Sequence, residues 1–224
     1  QYVGTKIIPQ IQAKFPGVRV EYQGQAKDSA ESMGQIGKLF LVAFSIIILI
    51  LILHFKSISH MAIIIMMIPL SFLGAAWGHG LHGHPISILS AWGMVALSGV
   101  IINDAVVFLS KYNTLLLEGM KVEDAAYNAG LSRFRAILLT TLTTTLGLYP
   151  IILETSFQAQ FLIPMAISLA YGVMVGTGFI LIFFPVLILT LNDTKVWIRN
   201  KLFCESVEPE DVETAIKYSR VQID

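Results

Sequence analysis

Along most of this chain the polar positions are the exceptions. From Ile36 onward, Ile, Leu, Val, Phe and Met recur in five blocks, at about 36–55, 61–81, 86–111, 136–153 and 161–191. A helix rises about 1.5 Å per residue, so roughly 20 apolar residues cross the hydrocarbon core of a bilayer. Every block is near or beyond that length. The pattern predicts five transmembrane helices packed as an all-α membrane bundle over 36–192. The last block is long enough to tilt strongly or to project past the bilayer.

The flanks read differently. Residues 1–35 are polar and mixed, with no signal-peptide pattern. Ile7, Ile8, Ile11 and Phe15 keep helical spacing, Pro16-Gly17 marks a turn, and Val18 to Tyr22 alternates like a strand. So short a piece cannot close a core alone, which makes it the expected end of a larger α+β domain. The start at Gln1, without an initiator Met, leads us to expect a fragment of something longer. Residues 193–224 form a polar C-terminal tail.

Positive charge suggests an orientation. Lys56 follows the first block; Lys111, Lys121, Arg133 and Arg135 lie between the third and fourth; Lys195, Arg199 and Lys201 open the tail. The stretches 78–85 and 154–160 hold no Lys or Arg. The positive-inside rule then puts the N-terminal piece outside and the tail in the cytoplasm. Lys38, at the outer end of the first block, can snorkel to the interface. Between blocks three and four, Lys121 to Gly130 reads as a short loop helix with Glu123 and Asp124 in its first turn and Gly130 as its stop.

Composition removes several function classes. The chain is 55% hydrophobic and 13% charged, with a mean hydropathy of +0.71, far from a soluble domain. Its formal net charge is zero, so nothing points to nucleic acid. The single cysteine, Cys204, makes no internal disulfide. No HExxH, P-loop, GxSxG or GxGxxG pattern occurs, leaving hydrolytic, nucleotide and zinc chemistry without support. His79, His82 and His84 share a glycine-rich loop with no adjacent carboxylate, so interfacial polarity is favoured over a metal site. We expect no metal and no cofactor.

One acid stands out. Asp104 lies inside the third block, where a carboxylate at a helix centre costs roughly 2.5–3.5 kcal/mol to insert. It is roughly 10 Å inside the edge marked by Lys111, and Thr140 and Thr141 are roughly 8–9 Å inside the edge marked by Arg135. An acid and hydroxyls at matching depth could form a proton relay, because hydroxyls hold a carboxylate in either protonation state. Two structural readings compete. The acid could be a packing residue held by hydroxyls, and the threonines could bond their own helix backbone. We favour backbone bonding for most of them and a functional role for Thr140. Gly172-Val-Met-Val-Gly176 is a GxxxG pattern that implies close packing, and Gly93 and Gly99 are candidates for the same task on the Asp104 helix.

These residues resemble a known family. Gly99-x-x-x-Asn103-x-Ala105, then Glu118-Gly119 with Ala125 and Ala129, then Arg133-x-Arg135-x-Ile137-Leu138-x-Thr140-Thr141 with Gly147-x-x-Pro150, are similar to motifs of resistance-nodulation-division (RND) exporters. The likeness covers about 36–192 and is nearest the AcrB-like hydrophobe/amphiphile branch. It implies the end of a periplasmic porter subdomain over 1–35, followed by helices eight to twelve of twelve. It further implies a proton-driven homotrimer in a bacterial inner membrane, with a periplasmic adaptor, an outer-membrane channel and membrane lipids as partners and a proton gradient in place of a cofactor. Its cargo would be drugs and detergents. The resemblance carries a relay role to Thr140, with Thr141 beside it, and a place at the cytoplasmic mouth to Arg133. Where drug-exporting relatives often have a lysine paired with a first-half aspartate couple, this chain has Asn103. Asp104 stands where many relatives have Asn. A lipid or protein translocator, or a non-transporting scaffold, stays open on this pattern.

Overall fold

The computed structural model describes residues 25–156, 158–203 and 208–221. The helix and strand expected over Ile7–Tyr22 lie outside these residues. Among the described residues the secondary structure is helical: α1 (Gln25–Phe55), α2 (Ile58–His82), α3 (Ile88–Leu117), α4 (Val122–Ile152), a 3-10 turn (Ala159–Phe161), α5 (Ile163–Phe203), a second 3-10 turn (Pro209–Val212) and α6 (Thr214–Val221). The first five helices are each long and apolar enough to cross a membrane. The all-α five-helix bundle expected from the hydrophobic pattern is the observed one.

The helix ends follow local chemistry. Lys56 adopts φ 49, which breaks α1 from α2. Ser57 caps α2 by accepting from the His60 N–H, and Gly83 closes it at φ 65, a left-handed conformation that suits glycine. Ser87 and Ser90 form a reciprocal capping box at the start of α3.

Three boundaries depart from expectation. α1 begins before Ile36, because Gln25 to Gln35 contains good helix formers such as Ala26, Glu31 and Met33 and no proline. The expected loop helix at 121–130 does not stop at Gly130; it continues as one helix to Ile152. An interior glycine costs only about 1 kcal/mol, and the burial of Ala126 and Ala129 beside Gly130 outweighs that propensity loss. α5 passes the expected end near 191 and reaches Phe203, so the first part of the expected polar tail is helix.

The chain forms two compact units, Gln1–Val42 and Ala43–Asp224. Within the second, α5 packs against α2, α3 and α4, and α3 packs against α2 and α4. The fully buried side chains Ile64, Met67, Leu97, Ile101, Phe108, Ile180 and Phe184 form its core. The GxxxG pair sits at the tightest crossing. A Cβ on Gly172 would overlap Leu97 of α3, and one on Gly176 would overlap Ile101 of α3 and crowd Ser71 of α2. Gly93 backs onto the Met165 carbonyl and Ser168. Gly99 differs: nothing approaches it, because it faces an open groove between α1 and α3.

Candidate functional site

α3 buries Leu97, Ile101, Ala105, Phe108 and Tyr112, a stripe at helical spacing. Asp104 falls on that stripe and is only 5% exposed. Its Oδ2 finds no hydrogen-bond partner among the described residues. The carboxyl is flanked along the bundle by two contacts. On one side Ile101 meets Gly176; on the other, Phe108 meets Phe184 edge to face at 5.3 Å. The acid therefore lies in the α3–α5 seam, in the middle of the core.

The threonines separate into two groups. Thr141 is buried and shares a 2.6 Å hydroxyl–hydroxyl bond with Thr177 of α5. Thr177 neighbours Gly176, which touches Ile101, so this pair stands about one helical turn from Asp104. Thr140 is exposed on the other side of α4 and donates to the Ala136 carbonyl at 3.0 Å. Thr143 likewise bonds the Leu139 carbonyl. Among the described residues no hydrogen bond joins Asp104 to Thr140 or Thr141. Among the described residues Thr140 thus bonds its own helix and not the Asp104 seam, because a 100° step along α4 turns Thr141 inward and Thr140 out. Asn103 is turned from the core in the same way. It is exposed and lines the α1–α3 groove, about 370 Å³, with His54, Gly99 and Val106. Arg133 is half-buried about three turns into α4, and its Nε has no hydrogen-bond partner among the described residues.

Replacing Thr141 with valine is expected to cost about 1 kcal/mol of bundle stability, because Thr177 loses its inter-helix partner in an apolar seam. Thr140→Val is expected to stay within about 0.5 kcal/mol, since only a bond to its own helix is lost. Thermal unfolding of the two variants in one detergent distinguishes them.

Two polar layers frame the core; the sequence suggested interfacial polarity at the histidines of the first, but not the cross-helix bonds of either. At one end His79 Nε2 bonds Ser168 Oγ at 2.9 Å, its Nδ1 meets the His84 carbonyl at 3.1 Å, and His82 Nε2 bonds Tyr171 Oη at 2.9 Å. His79 and His82, which were expected in a loop, lie in the last turn of α2, where they tie α2 to α5. At the other end His60 of α2 and Glu213, the residue before α6, are 2% and 0% exposed, with Nε2 and Oε2 3.2 Å apart. Asn192 of α5 donates to Glu213 Oε1 and to the Pro209 carbonyl, both at 2.8 Å. Tyr112 of α3 lies edge-on to the His60 ring. Glu210 accepts from the Val122 N–H at 3.4 Å, serving the start of α4 that Lys121 leaves without a side-chain cap. Burial alone would raise the Glu213 carboxyl. The hydrogen bond and charge of His60, the charge of Lys195 and the Asn192 amide outweigh it and hold the carboxyl below its usual range. About 28 Å of helix rise separates His60 from His79, close to the thickness of a hydrocarbon core. The two layers therefore mark the edges of the apolar zone, with Asp104 between them.

An apolar helical bundle of membrane-spanning length, bounded by two polar layers, is the architecture of an integral membrane protein. The chain belongs to the AcrB/AcrD/AcrF family, whose model matches residues 5–192. This is the RND efflux group that the motifs around Asn103 and Thr140 resemble. Among solved structures the chain is similar to a heavy metal efflux pump in two crystal forms. Form II is 22% identical with a TM-score of 0.67, over 85% of this chain and 20% of that one. Form I is 20% identical with a TM-score of 0.65, over 84% of this chain and 19% of that one. The chain thus spans about a fifth of the length of those pumps, and at this identity the likeness is one of fold.

Proposed function

We propose that this chain is the C-terminal membrane portion of a proton-driven RND exporter. The observation that carries the proposal is Asp104, a carboxyl enclosed in the α3–α5 seam with one oxygen unpartnered. An acid in such a place changes charge when it takes up or releases a proton, and the charged form is the costly one in hydrocarbon. Protonation would favour a closed seam at Ile101–Gly176 and Phe108–Phe184; ionisation would favour one that admits water. Two such packings, biased by a proton, are what coupling to transport requires.

In this reading the lysine-bearing face is cytoplasmic and residues 1–35 belong to a periplasmic porter domain. The working unit is a homotrimer in the inner membrane of a bacterium, with a periplasmic adaptor and an outer-membrane channel. Asn103 and Thr140, both exposed on this chain, would meet the remainder of the pump, as would the half-buried Arg133. Thr141 would steady the helices beside the acid.

Replacing Asp104 by Asn in the intact transporter is expected to lower gradient-driven export at least tenfold at equal expression. Export and proton release are followed together in inverted vesicles with a pH-sensitive dye. Undiminished export with normal proton flux would remove Asp104 from the coupling. The cargo is proposed to be small amphiphilic compounds. A second reading, a metal ion, is favoured by the similarity to a heavy metal efflux pump. Parallel assays with an amphiphilic dye and with metal ions separate the two. Vesicles that move neither cargo nor protons would favour a scaffold instead.

A further inference from the structure

At the face that carries the C-terminal segment, an open pocket of about 360 Å³ lies between the start of α2, the end of α5 and the start of α6. Lys56, Lys195, Arg199 and Lys217 line it, together with Ser57, Ser59 and Thr214. None of its lining side chains is acidic. Lys195 and Arg199 are half-buried, so their charges are held at the pocket. Ser57 and Ser59 open α2 and Thr214 opens α6, which brings two helix N-termini, each with partial positive charge, to the same rim. Four cations, three hydroxyls and two helix starts converge there with no acidic side chain in the lining, although Lys195 also acts on the buried Glu213 carboxylate behind it; together they form a receptor for a phosphate-bearing anion.

The surroundings indicate where that anion comes from. The pocket lies beside the His60–Asn192 layer, at the edge of the apolar zone. Ile198 lines it and is exposed, and Ile58 beside it is 71% exposed. Trp197 is exposed one residue away, with Lys201 Nζ 4.7 Å from its ring centroid. An aromatic and a lysine at this level mark a membrane–water interface. A soluble phosphate has no use for the exposed isoleucines; an acyl chain does.

We infer that this pocket is a headgroup site for an anionic phospholipid. The phosphate sits among Lys56, Lys195, Arg199 and Lys217, and the acyl chains run down past Ile58 and Ile198. Because Thr214, Val212 and Lys217 belong to the C-terminal segment, a bound lipid also clamps that segment to the ends of α2 and α5.

The test is native mass spectrometry of the intact protein with phosphatidylglycerol, phosphatidylcholine and inorganic phosphate as probes. The variant is Arg199→Gln with Lys217→Gln, which leaves the residues around Glu213 untouched. A cation near such a surface is worth about five-fold in affinity, so the double variant is expected to retain phosphatidylglycerol about 25-fold less than the parent. Phosphatidylcholine retention is expected to be weak in both. An Arg135→Gln variant, which removes a cation outside the pocket, controls for general charge and is expected to bind as the parent does. Equal phosphatidylglycerol retention by parent and double variant, or equal retention of the two lipids by the parent, would overturn the site. Displacement of phosphatidylglycerol by millimolar inorganic phosphate would keep the anion site and overturn its assignment to lipid. Should the double variant fail to elute as folded protein, Lys217→Gln alone, at an exposed position, carries the same test with a five-fold expectation.

Discussion

Replacing His60 with alanine is expected to destabilise the bundle by about 3–5 kcal/mol, because it leaves Glu213 as a buried carboxylate without its imidazole partner. Glu213→Gln should be much milder, at about 1 kcal/mol. The amide still accepts from Asn192, and a His60 ring nitrogen can accept from the new N–H. The order of the two losses is the check. If Glu213→Gln were as damaging as His60→Ala in thermal unfolding, the pair would not be held by the asymmetry described here.

The same pair makes a signed pH prediction. The Glu213 carboxyl is held below its unfolded value, so its contribution is present above the ordinary carboxylate range and is lost as pH falls through the depressed folded value. Lys195, Glu210 and Tyr112 surround the pair and Asn192 completes it, so acid should release the C-terminal segment from α2 and α5. Limited proteolysis within 204–221 should accelerate on acidification in the parent and change little with pH in Glu213→Gln. Acid-insensitive cleavage of the parent would count against a docked segment.

The second large effect belongs to the α3–α5 crossing. Gly176→Leu is expected to cost 3 kcal/mol or more in order of magnitude (about 1–3 kcal/mol is typical of modest overpacking), because its Cβ alone collides with Ile101 and crowds Ser71. Neither neighbour can withdraw, since Ile101 is fully buried and Ser71 is bonded to the Ile68 carbonyl. Gly172→Leu should behave alike against Leu97. Gly99→Ala is the contrast: with open space beside it and a helical backbone, it should be neutral or stabilising by up to about 1 kcal/mol. Unfolded fractions against a denaturing detergent rank the three. Equal loss at Gly99 and Gly176 would mean that the crossing is not set by these glycines.

Much of the architecture was legible because membrane insertion is written locally. Roughly 20 apolar residues in a row satisfy the hydrocarbon core whatever their neighbours do, so all five spans could be read from hydropathy. The lone acid of the third block, Asp104, was legible for the same reason: a charge in an apolar block is conspicuous. Helix ends were less so. Gly130 reads as a stop, yet burial of Ala126 and Ala129 beside it carries α4 onward, and Lys195 to Lys201 read as tail while α5 extends through them.

What the chain determines by itself is therefore its class: a helical membrane protein of five spans, with an acid in the third, a small-residue seam in the fifth and motifs of an exporter family. Only the tertiary structure decided which face each residue shows and which distant residues meet. Thr141 turned in and Thr140 turned out on a single 100° step, and Asn103 is exposed while Asp104 beside it is buried. His60 found Glu213 across most of the chain's length, and four scattered cations converged on one pocket. Hydropathy sums over neighbours in sequence, whereas a buried pair or a binding pocket depends on how helices rotate and cross, and that is set by side-chain packing between segments far apart in the chain.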